Sequence, residues 1–113
     1  MEKLEDRRCR PCEGGAEPLS RAQADTLLQE LDEGWTLNAD AVAIERDFEF
    51  PGFARTIAFA NAVAFIATAQ GHHPVMTVSY RRCRVSFTTH AIGGLSDNDF
   101  ICAAKIDRLA EEL

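Results

Sequence analysis

The stretch from Phe53 to Gln70 narrows the fold more than any other part of the chain. Phe53, Ile57, Ala60, Ala64 and Ala67 fall on one helical stripe, and Phe59, Val63 and Ile66 widen it. The pattern predicts a long helix packed on more than one side. Pro51-Gly52 breaks whatever precedes it, and Gly71 supplies a C-terminal stop.

β-rich segments lie on both sides of this helix. Trp35 to Leu37 reads as a short strand and Asn38-Ala39-Asp40 as a turn. Val42, Ile44, Phe48 and Phe50 then alternate with charged residues, imperfectly around Arg46, as in a half-buried strand. Beyond the helix, Val75 to Tyr80 and Arg82 to Thr88 form an expected antiparallel hairpin with its turn near Arg81.

Helices close both ends. Ser20 can cap a helix carrying Ala24, Leu27, Leu28 and Leu31, with Gly34 as its expected stop. Gly93-Gly94 reads as a loop, and Ser96 caps a last helix with Phe100, Ile101, Ala104, Ile106 and Leu109. The order α-β-β-α-β-β-α implies an α+β fold: one four-stranded antiparallel sheet with its helices packed on one face. The other face and the sheet edges are left to meet another subunit.

A chain of 113 residues fits one domain, small enough that burial against copies of itself is expected to help. Residues 1–18 are charged, with Pro11, Gly14-Gly15 and Pro18, and are expected to be a flexible tail before a domain at 19–113. The net charge of −6 argues against a nucleic-acid binder. Arg81, Arg82 and Arg84 form a dense basic cluster, but they lie in the expected strand pair. No apolar run is long enough to span a bilayer, and the N-terminus has no signal-peptide pattern, so a cytoplasmic protein with reduced cysteines is expected.

Only three histidines occur, His72, His73 and His90, all at element boundaries. A histidine at a strand end is commonly just a polar surface residue. Gathering all of them between 72 and 90 favours a shared site, since imidazole gives and takes protons near neutral pH. A zinc site is one form such a cluster takes, but adjacent histidines on an extended backbone diverge. Cys9-Arg10-Pro11-Cys12 has the spacing of a metal knuckle, yet it offers two ligands, and Cys83 and Cys102 form no second pair. It reads as an incidental tail motif. Gly93-Gly94 matches no phosphate-binding loop. Ser96-Asp97-Asn98-Asp99 reads as a helix capping box, and that structural role is the expected one for Asp99.

Taken together, His72-His73-Pro74, Tyr80, Thr88-Thr89-His90, Gly94-Leu95-Ser96 and Asn98-Asp99-Phe100 resemble the signature of the pterin-4a-carbinolamine dehydratases. The resemblance runs from Trp35 through the last helix. It implies a hydro-lyase that converts a 4a-hydroxytetrahydropterin to quinonoid dihydropterin and water. By resemblance His72 and His90 transfer protons and His73 binds or assists, with Gly71, Pro74, Thr88, Thr89 and Ala91 holding substrate. No metal or cofactor is implied, because the pterin is the substrate.

The resemblance further implies a homodimer or homotetramer, a place in tetrahydrobiopterin recycling, and an aromatic amino-acid hydroxylase as a functional partner. One position departs from the family pattern: Thr68 stands four before His72, where a charged residue is usual, and on a helix it would share that face. A different reading is a non-catalytic scaffold or assembly factor that acts through protein partners. Retention of all three histidines speaks against it.

Overall fold

The computed structural model describes residues 2–11 and 14–113. Helix α1 (Arg21–Leu28) is followed by strands β1 (Thr36–Leu37) and β2 (Ile44–Glu49) and helix α2 (Phe53–Gln70). Strands β3 (Val75–Val78) and β4 (Arg82–Phe87) and helix α3 (Asp97–Glu111) complete the order. The four strands form one antiparallel sheet, ordered β1-β2-β4-β3, so the expected α+β architecture is the observed one.

Alternation along the strands divides the sheet into two faces. Ile44 and Phe48 of β2 and Cys83, Val85 and Phe87 of β4 are buried in one core with Phe59 and Val63 of α2 and Phe100, Ile101 and Ile106 of α3. Phe59 stacks at a tilt on Phe48, 4.6 Å between ring centres, and on Phe50 at 5.0 Å. The opposite face carries an ionic ladder across β2 and β4, in which Arg84 meets Asp47 at 3.4 Å and Glu45 at 3.5 Å.

Arg46, which spoils the alternation of β2, has a partner on the helical side. Its guanidinium donates to Asp107 of α3 at 2.6 Å and lies over the Phe48 ring, 4.2 Å from its centre. Asp107 also accepts from the Trp35 indole N–H at 2.7 Å and the Asp32 N–H at 2.9 Å. Burial pushes the Asp107 carboxyl above its usual range, and these donors oppose the shift.

Several boundaries differ from expectation. Helix α1 ends at Leu28, not at Gly34; Leu27 and Leu28 carbonyls accept from Glu30 and Leu31 in short i+3 turns. Leu31 still packs on the core from those turns, so its periodicity looks helical. Tyr80 and Thr88 lie just outside their strands, and Trp35 just before β1.

The larger difference is at the N-terminus. Residues 2–11 lie along α3, where the expectation was a loose tail. A 3-10 turn at Leu4–Asp6 buries Leu4 in the core, and Lys105 donates to the Glu5 carbonyl at 2.8 Å. Arg7 pairs with Asp97 and Arg108 with Glu5, both at 3.1 Å.

Candidate active site

The end of α2 sets the first two histidines. Gly71 takes the left-handed conformation (φ 66°), which lacks a steric penalty only for glycine, and its N–H caps the carbonyls of Ala67 and Thr68. The chain therefore leaves the helix before His72, whose N–H still bonds to the Ala67 carbonyl. Sharing a helix face with Thr68 no longer applies. Thr68 is exposed and its hydroxyl donates back to the Ala64 carbonyl at 2.9 Å.

His72 turns inward. Its ring stacks parallel to Phe87, 5.8 Å between centres, and its Nε2 lies 2.6 Å from Oδ1 of the fully buried Asp99. The other carboxylate oxygen accepts from the Thr89 hydroxyl at 2.8 Å and the Ser96 N–H at 3.0 Å. Burial lowers the His72 pKa, but the hydrogen bond and charge of Asp99, with a contribution from Cys9, outweigh it. The net shift is upward, toward imidazolium.

His90 comes from a closed loop. Thr89 and Gly94 bridge through paired backbone bonds, N–H of Thr89 to the Gly94 carbonyl at 2.9 Å and the reverse at 3.4 Å. Between them, residues His90–Ile92 make one 3-10 turn that holds His90 at the surface. His73 is exposed as well. Neither ring has a side-chain partner among the described residues.

All three histidines line one open cleft of about 340 Å³. Gly71, Thr88, Thr89 and Ala91 of the expected set line it too, and Pro74 does not. Three features were not anticipated. Asp99 closes the expected capping box with Ser96 and also binds His72. Gln70 and Asn98 contribute to the walls, and so do Cys9, Arg10 and Pro11 from the N-terminal segment. The cue for Asp99 and Asn98 was their place in the same signature as the histidines; nothing in the sequence tied Gln70 or the N-terminal residues to the cleft.

Cys12 of the Cys9/Cys12 pair lies outside the described residues. Among those described, no group of three or more His, Cys, Asp or Glu is placed to hold a metal ion. No helix among them is long and apolar enough to cross a membrane.

A model of the pterin 4 alpha carbinolamine dehydratase family matches residues 17–109, most of the chain. The chain belongs to that family. A protein of Nitrosomonas eutropha that carries the name pterin-4-alpha-carbinolamine dehydratase is 53% identical over 94% of this chain and 92% of its own. A namesake in Legionella pneumophila strain Corby is 47% identical, with 94% of each chain covered.

Solved structures agree with this fold for the dehydratase family. A transcriptional coactivator/pterin dehydratase from Brucella melitensis superposes with a TM-score of 0.78 at 29% identity, covering 83% of this chain and 99% of that one. A pterin dehydratase-like RuBisCO assembly factor of the alpha-carboxysome superposes at 0.60 with 23% identity, over 69% of this chain and 90% of its own. At that identity the second likeness speaks for the fold alone.

Proposed function

We propose that this protein is a hydro-lyase that converts a 4a-hydroxytetrahydropterin to the quinonoid dihydropterin and water by histidine acid/base catalysis. The observation that carries the reading is the asymmetry of the cleft: one imidazole fixed against a buried carboxylate, and two exposed ones facing the same space. Family membership supplies the substrate class.

The elimination is balanced by two proton transfers. A base takes the N5 proton, the N5–C4a double bond forms, and the C4a–O bond breaks as an acid protonates the departing hydroxide. Asp99 biases His72 toward its protonated form, which suits the acid or an electrostatic partner of the leaving group. His90, exposed on the same cleft, suits the base, and His73 binds and orients the ring. Gly71, Thr88, Thr89 and Ala91 lie where they can contact the pterin, with Pro74 shaping the turn behind His73.

In this reading the chain serves tetrahydrobiopterin recycling in the cytoplasm and supports an aromatic amino-acid hydroxylase. It works as a dimer or tetramer. Phe53, Ile57 and Phe65 on the outer side of α2, and Val75 on edge strand β3, are exposed apolar side chains that a second copy could cover.

Product analysis tests the proposal. Freshly made 4a-hydroxytetrahydropterin is mixed with the protein and the quinonoid dihydropterin is followed by its absorbance. Faster formation than in buffer is expected, and a rate equal to buffer from folded protein would refute the enzyme reading and favour a non-catalytic scaffold.

A further inference from the structure

The N-terminal segment that covers α3 ends as a wall of the histidine cleft, and polar clamps hold that end. The Cys9 N–H donates to the Gln70 side chain at 2.9 Å. Asn98 accepts from the Arg10 N–H at 3.0 Å and donates to the Arg10 carbonyl at 2.6 Å. This strap thus joins the end of α2 to the start of α3.

Beneath it two thiols meet. The Cys9 sulfur lies 3.5 Å from that of Cys102, which is buried in α3, across a sequence separation of 93 residues. Cys9 also donates to the Asn98 carbonyl, and Cys102 points at the carbonyl of His72. The pair therefore sits directly behind the cleft. Neither residue is needed for the proton transfers described above.

We propose that Cys9 and Cys102 form a reversible disulfide that latches the strap onto α3 and fixes one wall of the histidine cleft. The oxidant is a low-molecular-weight disulfide of the glutathione class. The Cys9 thiolate attacks one of its sulfurs, making a mixed disulfide and expelling one small thiolate. Cys102 then gives up its proton and attacks the Cys9 sulfur, releasing the second small thiol. Two electrons and two protons pass from the cysteine pair to the small disulfide, which becomes two thiols.

The environments divide the roles. The hydrogen bond from Cys102 holds the Cys9 thiol below its usual pKa, with burial opposing and His72 and Lys105 assisting. Cys102 is pushed up, first by Cys9 and then by burial. Cys9, the more accessible of the two, is the attacking group. Once it is derivatised, the thiolate that keeps Cys102 protonated is gone.

The test uses the full chain, incubated without oxygen with oxidised glutathione, then mapped as peptides without reduction. A linked Cys9–Cys102 peptide is expected, together with slower amide exchange in residues 4–11 and reversal by dithiothreitol. Closing so long a loop should raise Tm by about 10 °C. Cys12→Ser should still form the link, and Cys9→Ser should leave Cys102 unmodified. A Cys9–Cys12 link, a lasting glutathione adduct on Cys9, or no loss of thiols would each overturn the latch.

Discussion

Nε2 of His72 and Oδ1 of Asp99 lie 2.6 Å apart and join the exit of one helix to the entry of another. Asp99 is the third residue of α3, where the N-terminal end of the helix dipole favours negative charge. One carboxylate thus caps its helix and fixes the imidazole that lines the cleft. This double use makes the pair testable by both stability and rate.

Asp99→Asn removes the charge and turns an amide N–H₂ toward groups that now donate to the carboxylate. A loss of about 2–3 kcal/mol is expected from denaturant titration. Turnover per folded molecule should drop by about tenfold or more, because His72 loses its bias toward the protonated form. An unchanged rate would remove Asp99 from the account.

The same pair sets a pH dependence. The folded-state pKa of His72 is raised above its unfolded value of about 6.5. Its contribution is therefore fully present below that value and is lost as pH rises through the higher folded value. The stability gap between wild type and Asp99→Asn should be widest near pH 6 and narrower at pH 9. A gap that stays constant would contradict the assigned shift.

Much of this architecture is legible in the sequence, and the exceptions have physical reasons. The limits of α2 are marked by Pro51-Gly52 and Gly71, whose backbone preferences act locally. Leu31 misled because a short i+3 turn keeps a side chain near the face a helix would give it. The strap was hidden because Leu4 is a lone apolar residue among charges, and its clamps, Gln70 and Asn98, are distant polar side chains. Three histidines drew attention to the cleft, but the Asp99 contact spans 27 residues and is invisible to local pattern. Thr68 misled in the opposite way, since the helix ends at Gln70 and Gly71 turns the chain away before His72.

Thr68→Ala should leave turnover within about threefold of wild type, because among the described residues its hydroxyl serves only the Ala64 carbonyl and a local helix bond is of small net worth. Steady-state rates measure this. A larger fall would mean that Thr68 acts on the cleft after all.

Asp107→Ala strips partners from Trp35, Arg46 and the Asp32 N–H together. Leaving a largely buried guanidinium with only its 3.5 Å contact to the more exposed Asp32 should cost about 2 kcal/mol in urea unfolding. The indole fluorescence should shift, and turnover of the folded fraction should hold. A variant as stable as wild type would show that this network carries no net energy.

The most direct measurement is stopped-flow decay of freshly generated 4a-hydroxytetrahydropterin with wild type, His72→Ala and His90→Ala. His90 is exposed, so its variant should keep wild-type Tm, while His72→Ala leaves Asp99 without that partner and should lose about 1–3 kcal/mol but remain folded. Wild type is predicted to accelerate the decay, and each variant to lose about 100-fold or more of that acceleration. Wild-type rates in both variants would contradict histidine acid/base catalysis in this cleft.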